Sequence, residues 1–262
     1  MDLVKHLEAF GFAVDQGVIS AEECERMANA LDEIESAQRA AGKTSNMTDS
    51  QVTILNVHLV QPDIFLNKID IPKVMDTVSA VLQDHFILSN FNASRSGPKG
   101  GNRPHIDSRV PIRDFPSTIQ VVAMLCLDDF TAENGATIVW PLSHKSGIDP
   151  RHIRNVIDMP GKIPCVAPRG SVVYTLGQTW HDIGSNIDGS RRWGIIAYYA
   201  RWWVKPTYDF ANCGSHIYSM LTPRQKALFG FNSRPPSDSE KRTNTLTRVE
   251  ELPDSYEEAL KL

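Results

Sequence analysis

The chain has 262 residues and a mass of 29.2 kDa, 41% of it hydrophobic and 22% charged, which fits one large soluble domain with a substantial core. A formal net charge of −4 without a Lys/Arg-rich stripe argues against a nucleic-acid binder. No run approaches the roughly 20 apolar residues that a membrane-spanning helix needs.

The opening, MDLVKHLEAFGFAV, lacks the long apolar stretch and small-residue cleavage site of a secretory signal. Cys24, Cys126, Cys165 and Cys213 are widely scattered. That spacing suits neither a disulfide framework nor a zinc ribbon and indicates reduced thiols in a cytoplasmic protein. The final Leu260-Lys261-Leu262 differs from the peroxisomal Ser-Lys-Leu signal at its first place and is read as chance.

In chain order, Phe10 to Val14 forms a short apolar segment, followed by a turn at Asp15 to Gly17. A helix follows, with Ser20 as N-cap, Glu23 completing a capping box, and Met27, Leu31 and Ile34 as its apolar stripe. Pro72, tolerated in a first helical turn, opens a second helix with Val74, Val78, Val81 and Leu82 on one face. From about Phe86 the texture changes to strands. Phe86 to Asn92 leads into a Gly/Pro-rich loop, Ser96 to Pro104, and Ile119 to Leu127 has the near-continuous apolar character of a central strand. Further strands are expected at Ala136 to Trp140, Ser171 to Leu176 and Gly194 to Trp203. Turns at Glu133-Asn134-Gly135, Pro168-Arg169-Gly170 and Ile187 to Ser190 separate them. The polar tail after Asn232 is expected to be an extended surface segment. Helices first and strands later predict an antiparallel barrel or jelly roll buttressed by N-terminal helices. Within one domain spanning 1–262, residues 1–85 form the helical buttress and first strands, 86–204 the β core and 205–262 a C-terminal extension.

Chemistry concentrates in His105-Ile106-Asp107, His181 and Arg192. On a strand, residues i and i+2 share a face, so His105 and Asp107 can reach one ion. His181, just after a strand, supplies a third donor. Two imidazoles and one carboxylate on one face of an octahedral metal leave open positions, the pattern of Fe(II) oxygenases, in which 2-oxoglutarate chelates the metal and O2 takes the last site. Arg192, eleven residues after His181 and across a turn, is placed to hold the far carboxylate of 2-oxoglutarate bidentately. A lone His-x-Asp is weak, since roughly one chain in two with this histidine content carries one by chance. Taken alone, His105 reads equally as a loop histidine bonded to Asp107; it is the addition of His181 and Arg192 that favours the metal site.

Three stretches carry a resemblance to a known family: Pro104-His105-Ile106-Asp107; Glu133 to Thr137 with Pro141 to Lys145; and Trp180 to Asn186 with Arg191-Arg192-Trp193. From Leu7–Ser20 to about Trp203 the sequence resembles the phytanoyl-CoA dioxygenase family of Fe(II)/2-oxoglutarate oxygenases. The resemblance implies a double-stranded β-helix, with His105, Asp107 and His181 as catalytic iron ligands and Arg192 as the 2-oxoglutarate arginine. It further implies Thr137 as a hydrogen-bonding partner of that co-substrate and Met124 or Gln120 as part of its pocket. Two positions depart from the family: Leu142 stands where many members carry Gly, and Ile183 where a small polar residue is common. Asp107 disfavours the halogenating relatives, which place Gly or Ala there.

His144 is read as a loop anchor, Arg191 as a solvated charge on the face opposite Arg192, and Cys126 as an inert core thiol. Trp202, Trp203, Tyr198 and Tyr199 are assigned to the barrel wall, with one ring available to the substrate pocket. Arg109 faces either an acidic substrate or a surface ion pair. No Gly-x-Ser-x-Gly elbow or nucleotide-binding loop is present. The expected activity is hydroxylation of an aliphatic C–H of a small molecule, with succinate and CO2 as co-products and no nucleic-acid or membrane partner. A homodimer is the working assumption. The rivals are a non-catalytic or non-redox metal-binding β-barrel and a cupin-like metalloenzyme in which Arg192 has no purpose. The cavity walls are assigned to Asn46–Asn56, Ser94–Arg103 and the tail after Phe210.

Overall fold

The computed structural model describes residues 2–83, 85–101, 103–108, 117–155, 158–235 and 246–261. Arg109 lies outside them. Two antiparallel sheets form the core. The broad sheet has six strands: β1 (Phe12–Asp15), β2 (Gln51–Ile54), β3 (Phe86–Ser96), β4 (Gln120–Cys126), β7 (Val172–Leu176) and β9 (Trp193–Arg201), in the order β1-β7-β4-β9-β3-β2. The narrow sheet has three short ones: β5 (Ile138–Val139), β6 (Ile163–Pro164) and β8 (His181–Asp182), in the order β6-β5-β8. A bridge from His105 to His181 adds a further edge to it. The fold is a jelly-roll core with helical packing on one side, as expected from the sequence.

Alternation along each strand divides the broad sheet's two faces. Val121, Ala123 and Leu125 of β4, Tyr174 of β7, Trp193 and Tyr199 of β9 and Phe91 of β3 join the main core. That core is shared with α1 (Leu3–Phe10), α2 (Ala21–Ala40) and α5 (Pro72–Leu82). Each large apolar side chain buried there contributes roughly 1.5–3 kcal/mol. The alternate residues, among them Gln120, Val122 and Met124, face a cavity enclosed by the narrow sheet. β4 is buried at every position because it is covered on both faces.

Two of the N-terminal helices, Ala21–Ala40 and Pro72–Leu82, are those the sequence predicts, whereas α1 was not anticipated. Ser20 caps α2 by accepting from Glu23 N at 3.2 Å. The Glu23 carboxylate reaches back, accepting from Ser20 Oγ at 3.3 Å through Oε2, while its Oε1 takes Lys68 Nζ at 2.6 Å. Lys68 is buried, and a buried ammonium needs such a counter-charge.

Three boundaries differ from expectation. The strand beginning at Phe86 runs on to Ser96, and the stretch expected at Ala136 to Trp140 is a strand only at Ile138–Val139. The described part of the tail is not an extended segment: it ends in α8 (Tyr256–Ala259), with Ala259 buried and Leu252, Tyr256 and Leu260 packed on the main core. Those apolar residues recur at i, i+4 and i+8, so even a polar segment has one face to bury. Arg191 is not solvated; it pairs with Asp128 at 3.0 Å and Glu25 at 2.9 Å.

Candidate active site

His105 and His181 are cross-strand partners: each backbone N–H donates to the other's carbonyl, at 3.0 and 3.1 Å. Directly opposed residues put their side chains on the same face, and the two ring centroids are 4.3 Å apart. Asp107, two residues after His105, returns to that face. Its carboxylate lies 3.3 Å from His181 Nε2 and 3.7 Å from His105 Nε2. One donor atom from each of the three falls within 4.8 Å of the others, and among the described residues no other such cluster exists.

Backbone contacts set the tautomers. His105 Nδ1 donates to Arg103 O and His181 Nδ1 to Thr179 O, both at 3.0 Å. A carbonyl only accepts, so both lone pairs are left on Nε2, facing Asp107. The edge of the His105 ring is 43% exposed, yet the ring sits within the cavity mouth. Desolvation there, followed by the charge of His181, lowers its pKa and favours the neutral, ligating form.

Asp182 was not singled out from the sequence. Its buried carboxylate accepts from Arg103 N at 2.9 Å and Ile183 N at 2.8 Å, fastening the Arg103–His105 segment to β8. Burial raises its pKa. The contact spans 79 positions, so no local spacing could reveal it.

Arg192 lies at the other end of the cavity, 2% exposed. Its Nη2 donates to Thr137 Oγ1 at 3.2 Å and touches Met124 Sδ at 3.8 Å. The guanidinium stacks 3.7 Å above the Phe130 ring, and Nε has no partner. No carboxylate pairs with Arg192 among the described residues, and burial lowers its pKa to about 10. Gly194 makes this stacking possible, because a Cβ there would stand 2.9 Å from Phe130 Cζ. Phe130 is a second residue missed from the sequence; nothing in its local pattern distinguishes it from core.

Thr137, Met124, Gln120 and Arg192 share one cavity of about 900 Å³ with His105, Asp107 and His181. All the candidate site residues therefore come together. Ile183 and Tyr198 also line it. The expected wall segments at 46–56 and 94–103 contribute Thr48, Ser50, Gln51, Ser94, Gly101 and Arg103; Arg151 and Thr207 line it as well, and among the described residues none beyond Phe210 does. His144 stands apart, with Nε2 3.1 Å from Glu8 O. Leu142 holds a left-handed backbone at φ 69°, which accounts for the glycine common at that place in the family.

A His/Asp/His face and a buried guanidinium inside a jelly roll define the class of iron- and 2-oxoglutarate-dependent oxygenases. The donor set has the composition such iron sites use, and the carboxylate-free guanidinium suits a dicarboxylate.

The family model described as phytanoyl-CoA dioxygenase matches residues 7–193. The chain belongs to the phytanoyl-CoA dioxygenase family and is a dioxygenase, an oxidoreductase that uses iron and 2-oxoglutarate. It is 26% identical over 239 residues to the dioxygenase af480 of Aspergillus fumigatus, covering 88% of this chain and 77% of that protein. It is also 26% identical over 205 residues to an uncharacterised protein of Mycobacterium tuberculosis, covering 74% and 72%. Among solved structures it resembles HygX of Streptomyces hygroscopicus, determined with nickel and 2-oxoglutarate bound, with a TM-score of 0.61, 13% identity and coverage of 78% and 88%. The non-heme alpha-ketoglutarate-dependent epimerase SnoN from nogalamycin biosynthesis gives a TM-score of 0.56 at 19% identity, covering 76% and 79%. No described helix is long and apolar enough to cross a membrane.

Proposed function

We propose that His105, Asp107 and His181 hold Fe(II), and that Arg192 with Thr137 receives the far carboxylate of 2-oxoglutarate while Met124 and Gln120 line its pocket. The reaction is hydroxylation of an aliphatic C–H of a small molecule. One atom of O2 enters succinate, CO2 leaves, and the other atom becomes the product hydroxyl. Iron, when bound, supplies the activation of O2. The protein's own part is positional. The two Nδ1–carbonyl bonds aim the imidazoles, Asp182 holds the strand that carries His105, and the apolar surroundings of Arg192 keep water from competing for its donors. The four cysteines are free thiols, and a cytoplasmic setting suits them.

The observation carrying this reading is a buried guanidinium with no carboxylate partner among the described residues, in one cavity with the His/Asp/His cluster. A barrel that only stored a metal would have no use for that buried charge, whose desolvation is costly. The test is succinate release from 2-oxoglutarate in the presence of Fe(II), with and without candidate substrates. Release that requires both iron and 2-oxoglutarate is expected. No release under any condition, together with no binding of 2-oxoglutarate, rejects the reading.

A further inference from the structure

One face of the broad sheet lines the cavity unevenly. Near Arg192, β4, β7 and β9 present Val122, Met124, Val173 and Ile196 together with Gln120, Thr175 and Tyr198. Beside β9 in the same sheet, β3 turns a different row inward. Asn90, Asn92, Ser94 and Ser96 alternate with the core residues Phe91 and Ala93 and with Arg95, which pairs with Glu35. A strand whose inward row is wholly polar is unusual for a closed core, because each such group must find a partner or lose hydration. Three have one: Asn92 Oδ1 accepts from Asn56 N at 3.0 Å, Ser94 Oγ from Gln51 Nε2 at 2.7 Å, and Ser96 Oγ donates to Gly135 O at 2.9 Å. Asn90 lines the cavity, and its buried Oδ1 has no partner. Arg103 also lines the cavity, two residues before His105. It is exposed, and its guanidinium makes no ion pair among the described residues. Of the other two arginines lining the cavity, Arg192 is the buried guanidinium already described and Arg151 is bound to Asp149.

Resting on the oxygenase assignment above, we infer that the substrate is a compact hydrophilic molecule, bearing hydroxyl or amino groups that meet the Asn90 wall and one anionic group that meets Arg103. An acyl chain laid against β3 would strip water from these amides and hydroxyls and return no hydrogen bond. About 900 Å³ is available to substrate and 2-oxoglutarate together, room for a molecule of ordinary ligand size.

The test is binding, read by saturation-transfer NMR on the full chain loaded with nickel(II) and 2-oxoglutarate, so that no turnover intervenes. One probe set holds hydroxylated or aminated carboxylates such as gluconate, quinate and serine. The other holds octanoate and decanoate, which keep the negative charge and lack the hydroxyls. Binders are expected in the first set and not the second. Asn90→Leu and Arg103→Gln are each expected to weaken them about tenfold. The inference is overturned if the apolar acids bind as well, if no polar probe binds, or if polar binding is unchanged in both variants. Probe-free succinate release by the iron-loaded protein is measured in parallel. Its presence alongside a failed NMR result rejects only the substrate class; no succinate release with any probe, together with no binding of 2-oxoglutarate, rejects the oxygenase assignment.

Discussion

The two sheets hold their functional groups by opposite means. Arg192, just before the broad sheet's β9, sits in a packed end where the ring of Phe130 and the hydroxyl of Thr137 fix it and burial is nearly complete. The narrow sheet carries His105, Asp107 and His181 on strands of two residues or on a single bridge, held by backbone hydrogen bonds and by Asp182. The difference teaches that a charged co-substrate clamp needs desolvation to be strong, whereas a metal site needs orientation and open coordination positions. It also predicts that each end can be removed without the other.

The largest effect belongs to the narrow sheet. His105→Ala or His181→Ala should lower iron affinity by more than about 100-fold and end turnover, with the circular dichroism spectrum unchanged. Wild-type iron stoichiometry in both variants removes them from the ligand set. At the opposite end, Arg192→Ala should raise the KM for 2-oxoglutarate by roughly one to three orders of magnitude and leave iron affinity intact. Arg192→Lys should restore only part of that, because an ammonium lacks the planar fork. Its neighbour sharpens the contrast. Arg191→Ala should leave that KM alone and cost about 1–3 kcal/mol of stability, read by urea denaturation, since it deprives buried Asp128 of a partner. A shift in KM from Arg191→Ala alone would mean that the opposite face of the chain carries the clamp.

Behind the broad sheet, His58 lies fully buried among Phe91, Phe210 and Phe229. Burial lowers its pKa from 6.5 to about 3. The unfolded chain takes up this proton below pH 6.5 and the folded chain does not until about pH 3, so stability falls as pH falls through that window. The loss between pH 7 and pH 5 should be about 2 kcal/mol, and His58→Phe should abolish this contribution to the slope of stability against pH. The smallest effect is at the exit of β5. Leu142→Gly should stabilise the fold by roughly 0.5–1 kcal/mol, because relief of a left-handed backbone outweighs the added freedom of the unfolded chain. A lower melting temperature in that variant would show that the half-exposed Leu142 side chain contributes more than the strain.

What could be read from the sequence followed the period of the chain. His105 and Asp107 were legible only together with His181 and Arg192, since a lone His-x-Asp reads equally as a loop histidine bonded to its neighbour, and Arg192 was distinguishable from Arg191 by strand alternation. The helix caps at Ser20 and Pro72 are local chemistry and were equally plain. Asp182, Phe130 and the Asn90 wall were not legible. Each acts on residues distant in sequence, and an inward asparagine looks the same as an outward one until the β3 register is known. The C-terminal helix was hidden by its length, since a single turn gives too few apolar residues to show a period.

Gly194 ties the clamp to its floor in a way that reaches beyond a single residue. A Cβ at 194 would stand 2.9 Å from Phe130 Cζ, so a side chain there has to displace the ring on which the guanidinium stacks. Volume can therefore be added at position 194 only if position 130 shrinks in the same step, and the two should travel together through mutational drift as one inherited unit. An engineer reshaping the co-substrate end would have to vary them as a pair, since a library that randomises 194 alone samples almost nothing but defective clamps.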